Sequence, residues 1–283
     1  MRDYQVKQIH SLARGLEVLR VLGDMRAASL HDLYLATGIP KSTLTRILYT
    51  AHQQGLVWQR MVDGAFLPSH TLQRRRELDD ADWIGEIASP ALEELSRRVQ
   101  WPSVLSVPRL DYMEVIETNT SRSYFDDVPV GATPYRANML RSASGRAYLA
   151  FCRDQERDAV LRRLRERNVP GHAVAHDRAG LDALIHTTRA RGYSVRDGNF
   201  GGDYDLPRGQ YDDGRDSIAM PIRVEGNVLG CINLTWRYRV ATLTQVVDRY
   251  LDDLRAAVLA VERRAADVAL PHSRGKGALA DER

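Results

Sequence analysis

A Lys-Ser-Thr run stands directly before an amphipathic stretch in the segment TGIPKSTLTRIL, at residues 37–48. Such a run ends a phosphate-binding loop of the form G-x-x-x-x-G-K-[ST], in which glycines let backbone amides wrap the phosphates. Here Pro40, which has no N–H group, precedes Lys41, and Leu35 stands where the first glycine belongs. The segment therefore does not match the loop of a nucleotide hydrolase.

The same segment has the periodicity of an amphipathic helix. Apolar residues recur at positions i, i+3, i+4 and i+7, namely Leu44, Ile47, Leu48 and Ala51. Pro40 suits a first helical turn and Gly55 suits the position after the last one. We predict a helix over about residues 40–54.

Two helical patterns precede this helix and a hairpin pattern follows it. The apolar stripes are Leu12, Leu16, Leu19 and Leu22, then Leu30, Leu33 and Ala36. Ser29 is suited to the N-cap of the second helix, and Gly38 is suited to its end. Two β-like runs, 56–61 and 65–67, are joined through Asp63-Gly64, which is a strong hairpin signal. This order predicts a winged helix-turn-helix whose third helix reads DNA.

The first turns of the third helix carry the side chains that we expect to contact double-stranded DNA: Lys41, Ser42, Thr43, Thr45 and Arg46. The two basic residues would neutralise phosphates or read guanine, and the hydroxyls would bond to phosphate or base. Arg60 would touch the backbone or minor groove, unless the hairpin only covers the helices. Residues 1–76 carry 11 Lys and Arg against 5 Asp and Glu, whereas the remainder has a net charge of −3. A basic head on a nearly neutral body is typical of DNA-binding proteins.

The rest of the chain mixes strands and helices. Predicted strands are Val104–Val107, Met113–Ile116, Ile218–Ile222 and Val228–Leu234, and predicted helices are 143–152, 154–167, 178–191 and 244–268. A helical pattern before them contains Pro90, which predicts a kink or a break near Ser89. We therefore expect an α+β body joined to the head by a helical linker.

Several function classes find no support in the sequence. Cys152 and Cys231 lie in apolar surroundings and are interpreted as buried structural thiols. There is no HExxH, no Cys/His cluster, no GxSxG and no GxGxxG after a strand, so we predict no metal, no cofactor and no enzyme. The N-terminus lacks a secretory core, and no apolar run approaches the roughly 18 residues of a membrane span. We predict a cytoplasmic protein with no membrane partner.

The head resembles the isocitrate-lyase-regulator (IclR) family of bacterial transcription factors. The resemblance lies in SLARGLEVL at 11–19, ATGIPKSTLTRIL at 36–48 and QGLVWQ at 54–59. It continues in the body with ASGRAYLAF at 143–151, RARGYS at 189–194, SIAMPI at 217–222 and VLGCINL at 228–234. The resemblance implies that Arg14 also contacts DNA and that the body is a GAF-like α/β effector-binding domain. It further implies a homodimer or dimer of dimers on a palindromic operator, with RNA polymerase as a further candidate partner.

Within the family, the chain has YRANMLR at 135–141 where many members have a PLH motif, and the stretch DWI…PAL…VxWP at 82–102 is similar to the activator of 3-(3-hydroxyphenyl)propionate degradation. This implies a small aromatic carboxylic acid as effector and activation of a catabolic operon. Two alternatives stay open: a repressor that responds to a small aliphatic acid, and an enzyme with an accessory DNA-binding head. The predicted domains are a DNA-binding domain at 1–76, a linker helix at 77–101, an effector-binding and oligomerisation domain at 102–269, and a disordered tail at 270–283.

A site for such an acid needs a cationic end for the carboxylate and an apolar slot for the ring. Candidate clamps are Arg136, Arg141 and Arg196, the alternative being solvated side chains. Ser142 and Ser144, at a helix start, would offer hydroxyls and helix N-terminal amides. The slot would be lined by Met139, Leu140, Ile218 and Cys231, unless these pack in the core, and faced by Ser217 and Asn233. We interpret the glycine-rich loop 197–214 as a mobile lid, with an unstructured connector as the alternative.

Overall fold

The computed structural model describes residues 9–69, 80–119, 135–167, 174–202 and 206–273. The chain divides into two compact units, with the boundary between Glu86 and Ile87. The boundary lies inside the helix Asp80–Arg98, so this linker helix is shared between the units.

The N-terminal unit contains three helices and a two-stranded antiparallel hairpin. Its elements are α1 (His10–Met25), α2 (Leu30–Thr37), α3 (Lys41–Gln53), β1 (Val57–Gln59) and β2 (Phe66–Pro68). Ser29 and Asp32 form a reciprocal capping box at the start of α2, which satisfies backbone N–H groups that a helix start leaves unpaired. Gly38 ends α2 in the left-handed conformation, with φ of 67°. Helix α3 agrees with the predicted helix to within one residue at each end.

The core of this unit confirms the stripe of α3 and corrects part of the other two stripes. Leu44, Leu48 and Ala51 are buried. In α1 the buried pair is Val18 and Leu22, whereas Leu12 and Leu16 are 56% and 58% exposed along a groove between α1 and α3. Ala36 of α2 is also exposed. The spacing of apolar residues in α1 does not decide which of them is buried, and packing against the neighbouring helices does.

Helix α4 (Asp80–Arg98) runs through Pro90 without interruption. Of the predicted kink or break near Ser89, the break is therefore wrong, and the kink stays a prediction. A proline inside a helix removes one N–H donor. Here Ala88, Ala91 and Leu92 on either side are buried, and their packing stabilises the helix across this position. Residues 70–79, which precede α4, lie outside the described residues.

The C-terminal unit is built on a six-stranded sheet in the order β5-β4-β3-β8-β7-β6, and all neighbouring strands are antiparallel. The strands are β3 (Ser103–Pro108), β4 (Tyr112–Thr118), β5 (Tyr135–Asn138), β6 (Ser194–Val195), β7 (Arg215–Val224) and β8 (Asn227–Arg237). The four predicted strands are present and longer than expected. The prediction missed β5 and β6, the short strands at the two edges.

Helices cover both faces of this sheet. They are α5 (Ala143–Phe151), α6 (Asp154–Arg167), α7 (Arg178–Arg191) and α8 (Leu243–Ser273). Helix α5 packs on one face with α7 beside it, and α8 packs against β7 and β8. The predicted tail begins inside α8, because residues 270–273 belong to that helix, and residues 274–283 lie outside the described part.

Two general properties bear on function. Within the described ranges, no helix is both long and apolar enough to span a bilayer. The same residues contain no group of three or more His, Cys, Asp or Glu side chains arranged to hold a metal ion.

Candidate DNA-binding surface and ligand cavity

The start of α3 presents an exposed polar and basic surface. Lys41, Ser42, Thr45 and Arg46 are exposed, and Thr43 is half-buried. Pro40 is the N-cap, and no side chain caps this helix start. An uncapped helix N-terminus with a lysine in its first turn attracts phosphate through its backbone amides and dipole. The residues predicted from the sequence to read DNA therefore share one accessible surface.

The threonine hydroxyl in this surface is oriented by the helix itself. Oγ1 of Thr45 donates to the Lys41 carbonyl at 2.9 Å, and Oγ1 of Thr50 makes the same bond to Arg46 at 2.8 Å. A hydroxyl has one proton, so in this rotamer Thr45 is an acceptor or offers its methyl group. A phosphate oxygen needs a donor, and the conformation therefore favours a base edge or a thymine methyl as the contact of Thr45.

Arg14 of α1 lies on the same side of the unit as part of α3. A groove of about 610 Å³ between the two helices is bordered by Arg14, Thr43 and Arg46. The exposed apolar side chains of Leu12 and Leu16 also line this groove. The tertiary fold thus brings together two arginines that are far apart in the sequence.

An aromatic side chain that the sequence reasoning missed supports Lys41. The ammonium of Lys41 lies 5.9 Å from the centre of the Tyr34 ring, and Tyr34 stacks with His31 at 6.4 Å. Tyr34 is 40% exposed. Both rings lie on α2 at i and i+3, which is the one sequence signal that they share a face.

Arg60 has a structural role in the hairpin. Its Nε donates to Oδ1 of Asp63 at 3.0 Å, and its Nη2 donates to Oδ2 at 2.5 Å. Burial opposes ionisation of Asp63, but the hydrogen bonds from Arg60 and from the Ala65 N–H outweigh it and lower the pKa of Asp63. The pair closes the turn at Gly64, where φ is 70°. Arg60 thus stabilises the hairpin turn through Asp63, and its contact with DNA stays a prediction.

A cavity of about 210 Å³ lies against one face of the sheet in the C-terminal unit. It contains five of the predicted effector residues: Ser142, Ser144, Arg196, Ser217 and Asn233. It also contains Val104, Ser106, Val115, Tyr135, Ala137, Phe200, Gly202, Asp213, Arg215 and Thr235, which were not predicted. The signal for several of these was the period-two alternation of strands, since Val104 pairs with Asn233 and Ser217 pairs with Thr235 across the sheet.

The apolar residues predicted to line the slot are in the core instead. Met139, Leu140 and Cys231 belong to the buried cluster around α5 and do not line the cavity. Burial raises the pKa of the Cys231 thiol, as expected for a structural cysteine. Ile218 is fully buried on the opposite face from Ser217, because successive side chains of a strand alternate. Strand alternation therefore places Ser217 at the cavity and Ile218 away from it.

Two of the three predicted arginine clamps also lie elsewhere. Arg136 is exposed on β5, with its guanidinium 4.7 Å from the centre of the Tyr112 ring. Arg141 is 7% exposed, donates to the Asn199 carbonyl at 2.7 Å and stacks on Phe200 at 5.1 Å. Neither lines the cavity. Arg141 instead fixes the 197–202 segment whose Phe200 forms part of the cavity wall.

Arg196 is the predicted arginine that reaches the cavity. It forms an ion pair with Asp213, and both side chains are largely buried, at 6% and 12% exposed. Nε of Arg196, Oγ of Ser106 and Oδ1 of Asn233 are buried and have no hydrogen-bond partner among the described residues. Buried polar atoms normally have a partner, so three unsatisfied atoms around one cavity indicate a site built for a polar ligand or water.

The N-terminus of α5 forms another side of the cavity. Ser142 is the N-cap, and its Oγ accepts a hydrogen bond from the Gly145 N–H at 3.0 Å. A Cβ on Gly145 would lie 2.3 Å from the Met139 carbonyl oxygen, so only glycine lets this turn pack closely. The positive end of the helix dipole therefore borders the same space as the arginine.

Comparisons with known proteins agree with this architecture. Residues 11–60 match the model of the IclR helix-turn-helix domain. The chain is 26% identical over 199 residues to the transcriptional repressor IclR of Escherichia coli (strain K12), covering 67% of this chain and 70% of that protein. It is also 26% identical over 202 residues to the acetate operon repressor of Salmonella typhimurium, with the same coverage.

Solved structures extend the similarity to almost the whole chain. A protein from Rhodococcus sp. RHA1 described as a transcriptional regulator is 26% identical, with a TM-score of 0.51 over 92% of this chain and 99% of that chain. Thermotoga maritima IclR shares the fold at 17% identity, with a TM-score of 0.52 over 92% of this chain and 100% of that chain.

These findings confirm the predicted fold class of a winged helix-turn-helix domain followed by an α/β domain. They also confirm the prediction of a regulator and not an enzyme. The chain carries an IclR helix-turn-helix domain at residues 11–60, is similar over most of its length to transcriptional regulators such as the Escherichia coli repressor IclR, and is a ligand-responsive, DNA-binding transcriptional regulator.

Proposed function

We propose that the cavity of the C-terminal unit binds a small aromatic carboxylic acid and that this effector controls transcription of an operon for aromatic-acid catabolism. The observation that carries the proposal is the unsatisfied Nε of Arg196 in a cavity that apolar groups also line. Val104, Val115 and the Phe200 ring supply a slot for a ring, and the α5 N-terminus supplies amides for an anion.

The size of the cavity limits the ligand. Sites for drug-sized ligands measure roughly 300–1,000 Å³, whereas this one measures about 210 Å³. A compact, single-ring acid suits that volume. The hydroxyls of Ser106, Ser217 and Thr235 favour a ligand with a polar substituent besides its carboxylate, because such a group would satisfy them.

The DNA-binding residues of this proposal are Arg14, Lys41, Ser42, Thr43, Thr45 and Arg46. The N-terminal units of two copies of the chain would bind a palindromic operator, since operator symmetry mirrors protein symmetry. The protein would do so as a homodimer or a dimer of dimers. Effector binding would favour one arrangement of the body, and α4 would transmit it to the spacing of the paired heads. Activation, with RNA polymerase as partner, rests on the resemblance of residues 82–102 to aromatic-acid activators.

The second candidate is a repressor that responds to a small aliphatic acid. The repressors of Escherichia coli and Salmonella typhimurium named above favour it, because one of them controls an acetate operon. The Arg196 and α5 environment suits any carboxylate, so the apolar slot is what distinguishes the two candidates.

A thermal-shift screen of the purified full chain separates them, because a ligand that binds only the folded state raises its melting temperature. We expect shifts with 3-(3-hydroxyphenyl)propionate, cinnamate or hydroxybenzoates. Shifts with acetate, glyoxylate or pyruvate alone would support the aliphatic repressor. If neither group of acids shifts the transition, the cavity does not bind a carboxylate effector.

A further inference from the structure

The ion pair of Arg196 and Asp213 has the same geometry as an arginine that binds the carboxylate of a ligand. Nη1 of Arg196 donates to Oδ2 of Asp213 and Nη2 donates to Oδ1, both at 2.9 Å. This is the bidentate arrangement by which a guanidinium recognises a carboxylate. Nη2 also donates to the Phe200 carbonyl at 2.9 Å, and the Phe200 ring centre lies 4.8 Å from the guanidinium. The position that an acidic ligand would take on this arginine is therefore filled by a side chain of the protein.

The unpaired Nε of Arg196 determines which bond an incoming acid can form first. Nε has no hydrogen-bond partner among the described residues, and Arg196 borders the cavity. Asp213 occupies the end of the guanidinium that carries Nη1 and Nη2, and the Phe200 carbonyl takes the second N–H of Nη2. A carboxylate in the cavity can accept a bond from Nε with these partners in place, but it can form the end-on bidentate pair with Nη1 and Nη2 only if Asp213 leaves. Two carboxylates also repel each other across so short a distance.

Asp213 additionally fastens the loop that forms one wall of the cavity. Its backbone N–H donates to the Gly201 carbonyl at 3.0 Å, and its Oδ1 accepts from the Arg215 N–H at 3.1 Å. A Cβ on Gly202 would lie 2.4 Å from Oδ2 of Asp213, so the segments that contain these two residues approach closely there. Movement of the Asp213 side chain would thus alter contacts of both residues 200–202 and residues 213–215.

We propose that Asp213 is an internal counter-ion that competes with the acidic effector for Arg196, and that its displacement transmits effector binding to residues 200–202 and 213–215. This inference rests on the proposed effector site. Asp213 then determines specificity, since a carboxylate alone gains little by exchanging one ion pair for another. An acid displaces it only when its ring also packs on Phe200 and the apolar slot. In this mechanism, ligand binding releases the contacts of Asp213 with Gly201 and Arg215.

The test measures the affinity for 3-(3-hydroxyphenyl)propionate by isothermal titration calorimetry on the full chain. Asp213→Asn keeps the size of the side chain and removes its charge, so the acid should bind about tenfold tighter, the equivalent of one charge-assisted hydrogen bond. The uncharged amide of the same ligand should gain nothing. Asp212→Asn is the matched control, because Asp212 is exposed, bonds to Tyr238 and Gly214, and does not line the cavity.

Hydrogen–deuterium exchange on the unmodified protein tests the same idea without any variant. The amide of Asp213 should exchange faster when the acid is bound, because its loop contacts are released. If the acid binds but Asp213→Asn does not bind it more tightly, or if loop exchange is unchanged or slower, the counter-ion is refuted while the effector site stands. If Asp213→Asn does not fold, the exchange result decides. If the acid binds to none of these proteins, the inference and the proposed effector class both fail.

Discussion

Gly145 is the residue where a single methyl group should disturb both the stability and the ligand site. A Cβ at this position would lie 2.3 Å from the Met139 carbonyl oxygen, 2.5 Å from its Cα and 2.6 Å from its carbonyl carbon. All three are backbone atoms, so no flexible side chain can move aside. Ordinary contact begins at 3.4 Å, and Gly145→Ala must therefore separate the two backbone segments by about 1 Å.

The expected cost follows from overpacking. Forcing an extra methyl into a packed region costs about 1–3 kcal/mol, and for a unit of this size each kcal/mol lowers the melting temperature by roughly 2–4 °C. We expect Gly145→Ala to lower the transition of the C-terminal unit by roughly 4–8 °C at about 2 kcal/mol. The same shift moves Ser142 and Ser144, which line the cavity, so effector binding should weaken as well.

Differential scanning calorimetry of the full chain measures the transition, and the two units are followed separately if they unfold separately. Gly198→Ala is the control in the same unit, because nothing lies within 4 Å of its added Cβ. Gly23→Ala in α1 is a second control, since open space surrounds that position and alanine favours a helix. Equal melting temperatures for Gly145→Ala and Gly198→Ala would refute the argument from close packing.

Three further predictions concern DNA binding, capping and pH. Arg46→Ala should weaken operator binding and reduce the slope of log K against log salt by about 0.9 if the side chain meets a phosphate; Arg20→Ala, which removes an exposed partner of Asp24, should change little in the same titrations. Ser29→Ala removes the capping box of α2 and should destabilise the N-terminal unit by about 1 kcal/mol, measured by urea unfolding against the wild type. Burial raises the pKa of the Cys152 thiol from 9.0 to about 11. The unfolded chain therefore loses this proton first, and the free energy of unfolding should fall as pH rises from 9 towards 11. That fall should be shallower in Cys152→Ala, and parallel curves would contradict the assignment.

Local patterns were sufficient for much of the secondary structure. The boundaries of α3, α6 and α7 follow the predicted ones closely, because caps and apolar spacing act within a few residues. The strands β5 and β6 escaped prediction, since four and two residues are too few for a periodic signal and depend on their neighbours for pairing. In α1, Leu19 and Leu22 of the predicted stripe pack in the core, whereas Leu12 and Leu16 are exposed and Val18 was missed.

At the ligand site, some residues could also be predicted from local sequence and others could not. Ser142, Ser144, Ser217 and Asn233 were predicted to lie at the site from their positions at a helix start and on strands, and they line the cavity. Asp213 and Phe200 were not identified, because no sequence pattern places a loop residue against a particular arginine.

The sequence by itself determined the class of this protein. The spacing of α3, the turn before it and the basic head are local features, and together they indicate a DNA-binding regulator. Tertiary structure alone decided which charges meet. Arg14 lies near Arg46, Arg60 pairs with Asp63, and of the three candidate clamps only Arg196 reaches the cavity, where it meets Asp213. The reason is that an ion pair depends on distances of a few ångströms between side chains, and the packing of the whole unit sets those distances.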